Sequence, residues 1–412
     1  MKIAIIGTGF TGLTAGYFLS KKGHQVVIYD KNKASGGLAG SFKELKWQWP
    51  LEKYFHHYFT SDNEVLSLAH ELGLDKKIFW GRPRTSIFAA GKIFQFDSPT
   101  SILNSPFLSL PEKIRTGFVT AVLKIADNHD SFSKVSAYSW LSRFYGKKVF
   151  NLVWKPLLEG KFGLYSRDVI MTWFWARIKK RSTRLGYFQG GFAVLQNKLI
   201  SQIVKAGGEI KYSRMINDLL PLQKKYDRIL FTGSTQELLL LSNIWPRDYQ
   251  ERLKNLKMIG AINLVVTTEK QFLKDKTYWL NINDSRFPFI ALVEQTNFIS
   301  PKYYNGDHLL YLGGYYPTNH PFFKYNKEEL WQFFEPYVKK INPEIKVKKL
   351  LMFKTSFAQP IVTHNYHRHM PHLQTPIKNV FIANMQMIYP WDRGVNYAIK
   401  LGKEAAKKIT AN

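Results

Sequence analysis

Residues 2–12 read KIAIIGTGFTG, a largely apolar run followed at once by a glycine-rich turn. The run Lys2–Ile6 has the length and composition of a buried parallel strand. The turn has the spacing GxGxxG, in which Gly7 permits a tight bend and Gly12 lets the following helix pack closely on the strand. We therefore predict a strand that passes through a tight turn directly into a helix.

The residues after this turn continue the same pattern. Leu13–Lys22 predicts a helix closed by Gly23, and Gln25–Tyr29 predicts a second strand that ends at Asp30. In this context Gly9 lets the backbone approach a pyrophosphate at the helix N-terminus, and the acid accepts hydrogen bonds from a ribose. The motif thus predicts a dinucleotide site, with contacts expected at Gly7, Gly9, Phe10, Thr11, Gly12, Asp30 and Lys31.

A second glycine-rich turn follows Asp30 closely, at Gly36–Gly37. It resembles the glycine doublet of flavoproteins with two dinucleotide-binding domains, the superfamily of flavin amine oxidases, protoporphyrinogen oxidases, phytoene desaturases and UDP-galactopyranose mutases. The resemblance implies non-covalently bound FAD, because in that superfamily the doublet lies against the flavin end of the cofactor. The contacts it implies here are Gly36, Gly37, Leu38 and Ala39, where glycine lets the backbone approach without a Cβ in the way.

Later segments extend the resemblance over almost the whole chain. Residues 186–195 resemble the segment by which protoporphyrinogen-oxidase-like proteins re-enter the FAD domain, and residues 226–233 resemble a strand that follows it. Residues 209–216 resemble the strand and loop that meet adenine in the superfamily. The resemblance therefore implies adenine contacts at Met215 and Ile216.

The C-terminal segment completes the expected FAD site. Residues 379–385 predict a final parallel strand, and residues 388–398 resemble a bacterial protoporphyrinogen-oxidase-like subgroup. The resemblance implies that the last helix points its positive end at the flavin C2 carbonyl and N1. The implied contacts are Asn384, Arg393, Gly394 and Val395. Most members carry Gly-Asp where this chain has Ala383-Asn384. The side-chain amide of Asn384 has no charge, unlike the carboxylate of Asp. This difference concerns the affinity for the cofactor more than the identity of the cofactor.

Together these motifs predict an α/β fold: a Rossmann-like FAD-binding domain of the GR2 flavoprotein type with an interleaved α+β substrate domain. We expect the FAD-binding domain at residues 1–80, 185–250 and 370–412, and the substrate domain at residues 81–184 and 251–369. The substrate domain contains strand-like runs at residues 259–268, 287–295 and 308–314. Its first part, near residues 99–182, is predicted to be helical.

The composition restricts the class of protein. The 412 residues carry a formal net charge of +29 and include no cysteine, which excludes disulfides, thiolate zinc sites and cysteine nucleophiles. An excess of positive charge attracts anionic lipid, nucleic acid or an acidic substrate, or is simply a solvated lysine-rich surface. Nucleic-acid binding is not expected, because we find no RRM, KH or zinc-finger signature.

A group of four histidines lies near the C-terminus, at His364, His367, His369 and His372. No Asp or Glu lies among them, so we expect no metal site.

Two segments suggest contact with a membrane surface. No apolar run reaches the roughly 18 residues needed to span a bilayer, so we expect a cytoplasmic protein, with peripheral attachment to the inner face of the membrane as an alternative. Residues 101–125 are apolar and contain Pro106 and Pro111; they are a candidate for membrane contact, or else a core helix. Residues 176–184 form the densest basic run, suited to anionic lipid or to a solvated loop.

Candidate catalytic and substrate-binding residues cluster after the predicted flavin loop. The catalytic candidates are His56, His57 and Tyr389, and the substrate-binding candidates are Trp49, Tyr54, His57 and Arg184. A histidine pair could hydrogen-bond to flavin or substrate, or relay a proton near neutral pH; the alternative for each is a packed structural histidine. Lys155 and Lys161 could anchor an anionic group, although such lysines are more often solvated or ion-paired.

The resemblance implies an FAD-dependent oxidoreductase whose flavin N5 accepts hydride from a largely apolar small molecule, such as a lipidic or isoprenoid compound. Two alternatives stay open at this point. One is a flavin-dependent sugar-nucleotide mutase resembling UDP-galactopyranose mutase, and the other is a non-catalytic lipid carrier resembling Rab escort and GDP-dissociation-inhibitor proteins. The sequence does not indicate the electron acceptor or the oligomeric state.

Overall fold

A five-stranded parallel sheet is built from segments that lie far apart in the sequence. The computed structural model describes residues 1–127 and 129–411. In spatial order the strands of this parallel sheet are Glu209–Lys211, Gln25–Tyr29, Lys2–Ile6, Arg228–Phe231 and Val380–Ile382. Every neighbouring pair runs parallel, so all five carboxyl ends lie at one edge. The predicted first, second and final strands are confirmed.

The glycine-rich turn joins the first strand to the helix Phe10–Lys21. Gly7 has a φ of +112°, and a Cβ on Gly12 would lie 2.0 Å from the Gly7 carbonyl oxygen. Neither position therefore accepts a larger residue without moving the backbone. The helix begins at Phe10 and not at Leu13 as predicted, because Gly9 adopts the extended conformation of an N-cap and the next residues already form the first turn.

Three helices pack together on the parallel sheet. The helix Phe10–Lys21 lies between Ala193–Lys205 and the C-terminal helix Val395–Thr410. The C-terminal helix buries Ile399, Ala405, Ala406 and Ile409 and exposes its lysines, which is the one-sided apolar pattern that the sequence predicts. The predicted helix start near Arg393-Gly394 is confirmed.

A larger mixed sheet faces the same edge of the parallel sheet. In spatial order its strands are Val347–Pro360, Met258–Thr268, His308–Tyr316, Ala291–Glu294, Thr277–Ile282, Arg84–Ala89 and Lys92–Gln95. All pairs are antiparallel except Thr277–Ile282 with Arg84–Ala89. The strand predicted at residues 287–295 is shorter than expected, because Pro288 has no amide to donate and the Phe287 amide closes a turn onto the Asp284 carbonyl.

The described residues between 99 and 180 are mainly helical, as predicted. The helices of this region are Pro99–Leu103, Leu110–Ile125, His129–Ser133, Ala137–Tyr145, Lys147–Val149, Lys155–Phe162 and Met171–Lys180, with a π-helical segment at Phe150–Trp154. The remaining helices are Asn63–Glu71, Leu220–Gln223, Thr235–Leu239, Arg247–Lys254, Lys327–Ile341 and Tyr366–His369. Two small sheets pair Ser41–Phe42 with Leu51–Glu52, and Tyr58–Phe59 and Ile78–Gly81 with Leu185–Phe188.

A buried carboxyl group, Glu52, connects these parts. Its side chain accepts hydrogen bonds from the Tyr187 hydroxyl at 2.6 Å and the Phe192 amide at 2.7 Å, and its carbonyl accepts one from the Tyr311 hydroxyl of the mixed sheet at 2.8 Å. Glu52 is fully buried, and this burial raises the pKa of its carboxyl to about 7 despite the two donors. The site therefore favours the neutral acid over the carboxylate.

Replacement of Glu52 by Gln should remove a pH dependence of stability. Because the carboxyl pKa is higher in the folded than in the unfolded state, its contribution is present at low pH and is lost as pH rises through about 7. Between pH 5 and pH 8 the wild type should lose roughly 2–3 kcal/mol of unfolding free energy relative to Glu52→Gln. Denaturant unfolding of both proteins at the two pH values measures this, with the exposed Glu251→Gln as control; parallel pH profiles for wild type and Glu52→Gln would contradict it.

Candidate functional site

A cavity of about 250 Å³ lies where the parallel and mixed sheets meet the helical region. Its lining comes from residues 54–59, residues 392–397, the helices Lys155–Phe162 and Met171–Lys180, and the mixed sheet. Leu38, from the loop that follows the predicted glycine doublet, also lines it. The cavity thus brings together residues from the segments predicted to hold the flavin and from the predicted substrate domain.

The predicted pyrophosphate site has room for a ligand. A Cβ built on Gly9 meets no described atom within 4 Å, so open space lies beside this glycine, and a Cβ built on Gly37 would lie 3.5 Å from the Gly9 Cα, so the second glycine-rich loop packs against the first. The first amides of the helix Phe10–Lys21 have no intrahelical acceptors. These residues fit the phosphates of a dinucleotide, because they offer N–H donors and the positive end of a helix dipole.

Asp30 is held more tightly than the sequence suggests. One carboxylate oxygen accepts from the Thr8 amide at 2.8 Å and the Thr8 hydroxyl at 2.5 Å. The other accepts from the Asn32 amide at 2.8 Å and the Asn32 side chain at 2.9 Å. A ribose hydroxyl would therefore have to replace one of these donors. The neighbouring Lys31 forms an ion pair with Glu237 at 2.7 Å.

The other predicted cofactor residues differ in their surroundings. Met215 is largely exposed and Ile216 half-buried, beyond the strand Glu209–Lys211. Asn384 is buried, and its side chain donates to the Gly233 carbonyl at 2.8 Å and accepts from the Gln386 amide at 3.0 Å. Its amide thus connects the ends of two neighbouring strands. Arg393, Gly394 and Val395 all line the cavity, at the start of the C-terminal helix.

Both candidate histidines line the cavity, and both are neutral at pH 7. Burial lowers the pKa of His56 to about 4, assisted by Arg393, although the Tyr54 carbonyl at 2.6 Å from its Nδ1 opposes the shift. Burial and the nearby cations Arg181 and Arg177 lower the pKa of His57 to about 3. The geometry therefore favours neutral imidazoles that hydrogen-bond, and it does not favour proton relay near neutral pH.

One wall of the cavity is rich in cations. Arg177, Lys180, Arg181, Lys161 and Arg393 all line it, with Asp62 and Asp392 as the acidic residues among its lining. Asp392 accepts from Arg177 at 2.9 Å and from the Trp173 indole at 3.0 Å. Burial alone would raise its pKa, but Lys161, Arg177 and Arg393 lower the pKa of Asp392 to about 2. The aspartate is therefore a fixed anion within this wall.

Sequence reasoning placed the basic run 176–184 at a membrane surface or in a solvated loop, and it did not identify Arg177 and Arg181 as cavity residues. Helical spacing from the buried Trp173 was the available signal, because Arg177 lies one turn later and packs on that indole at 5.2 Å. The predicted substrate residue Arg184 instead lies over the Trp80 ring at 5.6 Å, outside the cavity.

Two further candidates also lie outside the cavity. Trp49 stacks on Tyr303 with ring centroids 3.6 Å apart, and Tyr389 packs among Tyr366, His129 and His367. Of the predicted substrate-binding residues, Tyr54 and His57 line the cavity. Within residues 1–127 and 129–411, no group of three or more His, Asp or Glu side chains is arranged to hold a metal ion.

Comparison with known proteins gives partial sequence matches and a full-length structural match. The chain is 23% identical over 277 residues to coproporphyrinogen III oxidase from Staphylococcus aureus, covering 57% of this chain and 58% of that protein. It is 26% identical over 159 residues to 15-cis-phytoene desaturase from Synechococcus elongatus, covering 35% and 33%. The chain therefore matches about a third to three-fifths of the length of these two relatives.

A solved structure of reduced UDP-galactopyranose mutase matches 99% of this chain and 95% of its own, with a TM-score of 0.77 and 15% identity, and this likeness concerns the fold alone. A comparison with protein families matches residues 10–410 to the description "Flavin containing amine oxidoreductase". This match confirms the predicted superfamily, the flavoprotein fold and the FAD cofactor. The chain therefore belongs to the family of flavin containing amine oxidoreductases.

Proposed function

We propose that the chain is an FAD-dependent oxidoreductase that acts on a largely apolar, lipidic or isoprenoid small molecule. The observation that carries this proposal is the cavity, in which Leu38, Gly394 and Val395 from the predicted flavin segments face Ile262 and Trp279 of the mixed sheet. A substrate in this space would lie between the flavin segments and an apolar, aromatic wall. The family match supports the redox chemistry, because that family consists of oxidoreductases.

When bound, the flavin supplies an acceptor for hydride at its N5. The chain's own groups would position the substrate and exclude water. Phe55 and Trp279 form an edge-to-face pair with centroids 4.5 Å apart, which gives the cavity a rigid aromatic side. Asp62 also lines the cavity, and burial raises the pKa of its carboxyl to about 6, so it is suited to exchange a proton near neutral pH.

The two alternatives differ from this proposal in what they require of the flavin. A sugar-nucleotide mutase needs the reduced flavin and a nucleotide diphosphate, and the cationic wall would suit that diphosphate. A lipid carrier needs no flavin chemistry at all. Anaerobic addition of a lipidic donor should bleach the oxidised flavin under the main proposal, whereas the mutase would turn over UDP-sugars only after prior reduction.

Gly9→Val should abolish retention of FAD, because its side chain would project into the open space beside Gly9 that the pyrophosphate needs. The ratio of flavin to protein absorbance after gel filtration measures retention, and circular dichroism checks that the variant is folded. Gly117→Val, in the exposed helix Leu110–Ile125, is the control and should keep the wild-type ratio. An unchanged ratio in Gly9→Val would refute the placement of the cofactor. Wild-type protein that stays colourless after incubation with FAD would favour the lipid carrier.

We further propose that an apolar stripe on the helix Leu110–Ile125 rests on an anionic membrane surface. The stripe, which we call the exposed apolar face, consists of Leu110, Ile114, Phe118, Val122 and Ile125, each between 37% and 76% exposed. The opposite side of the helix buries Thr116, Val119 and Leu123 against the protein. The segment thus combines both roles considered for residues 101–125, core packing on one side and an unpartnered apolar side on the other.

The exposed apolar face lies beside the cavity. The Lys124 ammonium, on the same helix, donates to the backbone carbonyl of the cavity residue Arg181. The Lys179 ammonium donates to the Ile125 carbonyl at 3.2 Å. A lipid leaving the membrane at this face would therefore be next to the cationic wall. Among the described residues, no helix is both long enough and apolar enough to cross a bilayer.

Paired substitution of Ile114 and Phe118 by Glu should weaken binding to vesicles of anionic phospholipid by roughly tenfold or more. The reason is that it places two negative charges on the exposed apolar face, which would be in contact with the membrane. Co-sedimentation with phosphatidylglycerol vesicles measures this, and neutral phosphatidylcholine vesicles should bind the wild type less well. Leu45→Glu, at another fully exposed leucine, is the control. Equal binding of the paired variant and the control would reject the membrane face.

A further inference from the structure

Lys161 is a buried lysine that forms no ion pair with the described residues. Its side chain is 6% exposed and lines the cavity. Within the described part of the chain, no carboxylate oxygen lies within 4.0 Å of its ammonium and no hydrogen-bond acceptor is recorded for it. Its neighbours are the rings of Trp173 and Tyr315, at 5.1 and 5.0 Å. Ring faces attract a cation, but they do not replace the water that a buried ammonium loses.

The neighbouring charges do not supply the missing anion. Asp392 is already engaged by Arg177 and by the Trp173 indole. Asp62 accepts from the Phe59 amide at 2.9 Å, and among the described residues no cation of the cavity lies within 4.0 Å of its carboxylate. The Arg181 side chain reaches the cavity from an exposed position, and it forms no ion pair with the described residues.

The phosphates of the cofactor do not explain this excess of cations. The pyrophosphate is expected at Gly9 and the start of the helix Phe10–Lys21, and neither Gly9 nor Phe10 lines the cavity. Lys161 belongs to the helix Lys155–Phe162, and Arg181 directly follows the helix Met171–Lys180. Both residues are therefore in the helical region, whereas the glycine-rich loops follow the strands Lys2–Ile6 and Gln25–Tyr29 of the parallel sheet. Burial lowers the pKa of Lys161 well below its usual range; Asp392 opposes this shift, but the charges of Arg177, Arg393 and Arg181 add to it, so a further anion placed here would favour the charged form of the lysine.

We propose that Lys161 and Arg181 bind an anionic group of the substrate, a phosphate or a carboxylate, while Arg177 is held in place by Asp392. The apolar part of the substrate would lie against Phe55 and Trp279. The inference rests on the proposed function, and it narrows the substrate class to an anionic amphiphile. An uncompensated buried cation destabilises a fold, and a ligand that neutralises it gives a physical reason for its retention.

The test is a binding titration that does not depend on turnover. Tryptophan fluorescence, to which the cavity residue Trp279 contributes, should change when decyl phosphate or decanoate is added below its micellar concentration to the FAD-loaded protein. Decanol and decylamine are the neutral and cationic probes of matched length. We expect either anion to bind at least tenfold more tightly than decanol, and the affinity to fall as salt is added. The comparison of decyl phosphate with decanoate distinguishes the two anion types.

Lys161→Met should weaken binding of the preferred anion by roughly 10- to 100-fold while changing decanol binding less than threefold. The thermal unfolding midpoint of this variant should not fall, since methionine fills the same space without a charge. Arg181→Gln is a second variant at an accessible position, where folding is not at stake. The matched control is Lys155→Met, at an exposed lysine of the same helix that faces Glu159 at 4.0 Å, and it should bind like the wild type.

Three results would overturn the inference: equal affinity for decanol and both anions, tighter binding of decylamine, or unaltered anion binding in both Lys161→Met and Arg181→Gln. Tight binding of UDP with no binding of either decyl anion would also reject the amphiphile class. Failure of the proposed function looks different, because a bound flavin that no lipidic donor reduces leaves the fluorescence titration of the FAD-loaded protein fully readable.

Discussion

The close contact between the first strand and the first helix determines where every functional group can lie. Gly12 approaches the Gly7 carbonyl so closely that the helix Phe10–Lys21 must start directly at the carboxyl edge of the parallel sheet. Because all strands of that sheet run parallel, Asp30 and Asn384 come to the same edge from distant parts of the sequence. In open α/β sheets this edge is where ligands bind, and here it faces the cavity formed with the mixed sheet.

The ion pair between Asp392 and Arg177 connects this edge to the helical region. Asp392 directly precedes the cofactor helix start at Arg393-Gly394, and Arg177 belongs to the helix Met171–Lys180. Removing either partner would leave a buried charge unpaired, which destabilises far more than loss of a surface pair. The pair therefore holds the two sides of the cavity together, while Lys161 and Arg181 form no ion pair with the described residues and can meet a ligand.

Local patterns in the sequence predicted most of the parallel sheet, because turn chemistry and apolar runs act over a few residues. Tertiary contacts decided what those patterns could not. Nothing near Asp30 in sequence shows that Thr8 occupies one of its carboxylate oxygens, since Thr8 comes from the preceding turn. Likewise Trp49 looks like a substrate contact until Tyr303, more than 250 residues later, is seen stacked on it. Arg181 and Arg184 lie in the same basic run of the sequence. Only the fold shows that Arg181 lines the cavity whereas Arg184 lies over the Trp80 ring.

Burial shifts the acids and bases of the cavity in opposite directions, and this decides which groups can exchange protons. The same loss of water that lowers the pKa of His56 to about 4 raises the pKa of Asp62 to about 6, because in each case the charged form is disfavoured. The cationic wall strengthens the effect on the histidines, since a positive neighbour opposes a second positive charge. An anion bound at Lys161 would weaken that repulsion and make imidazole protonation easier. The charge of a bound substrate would thus act on the pKa of His57 through the cationic wall.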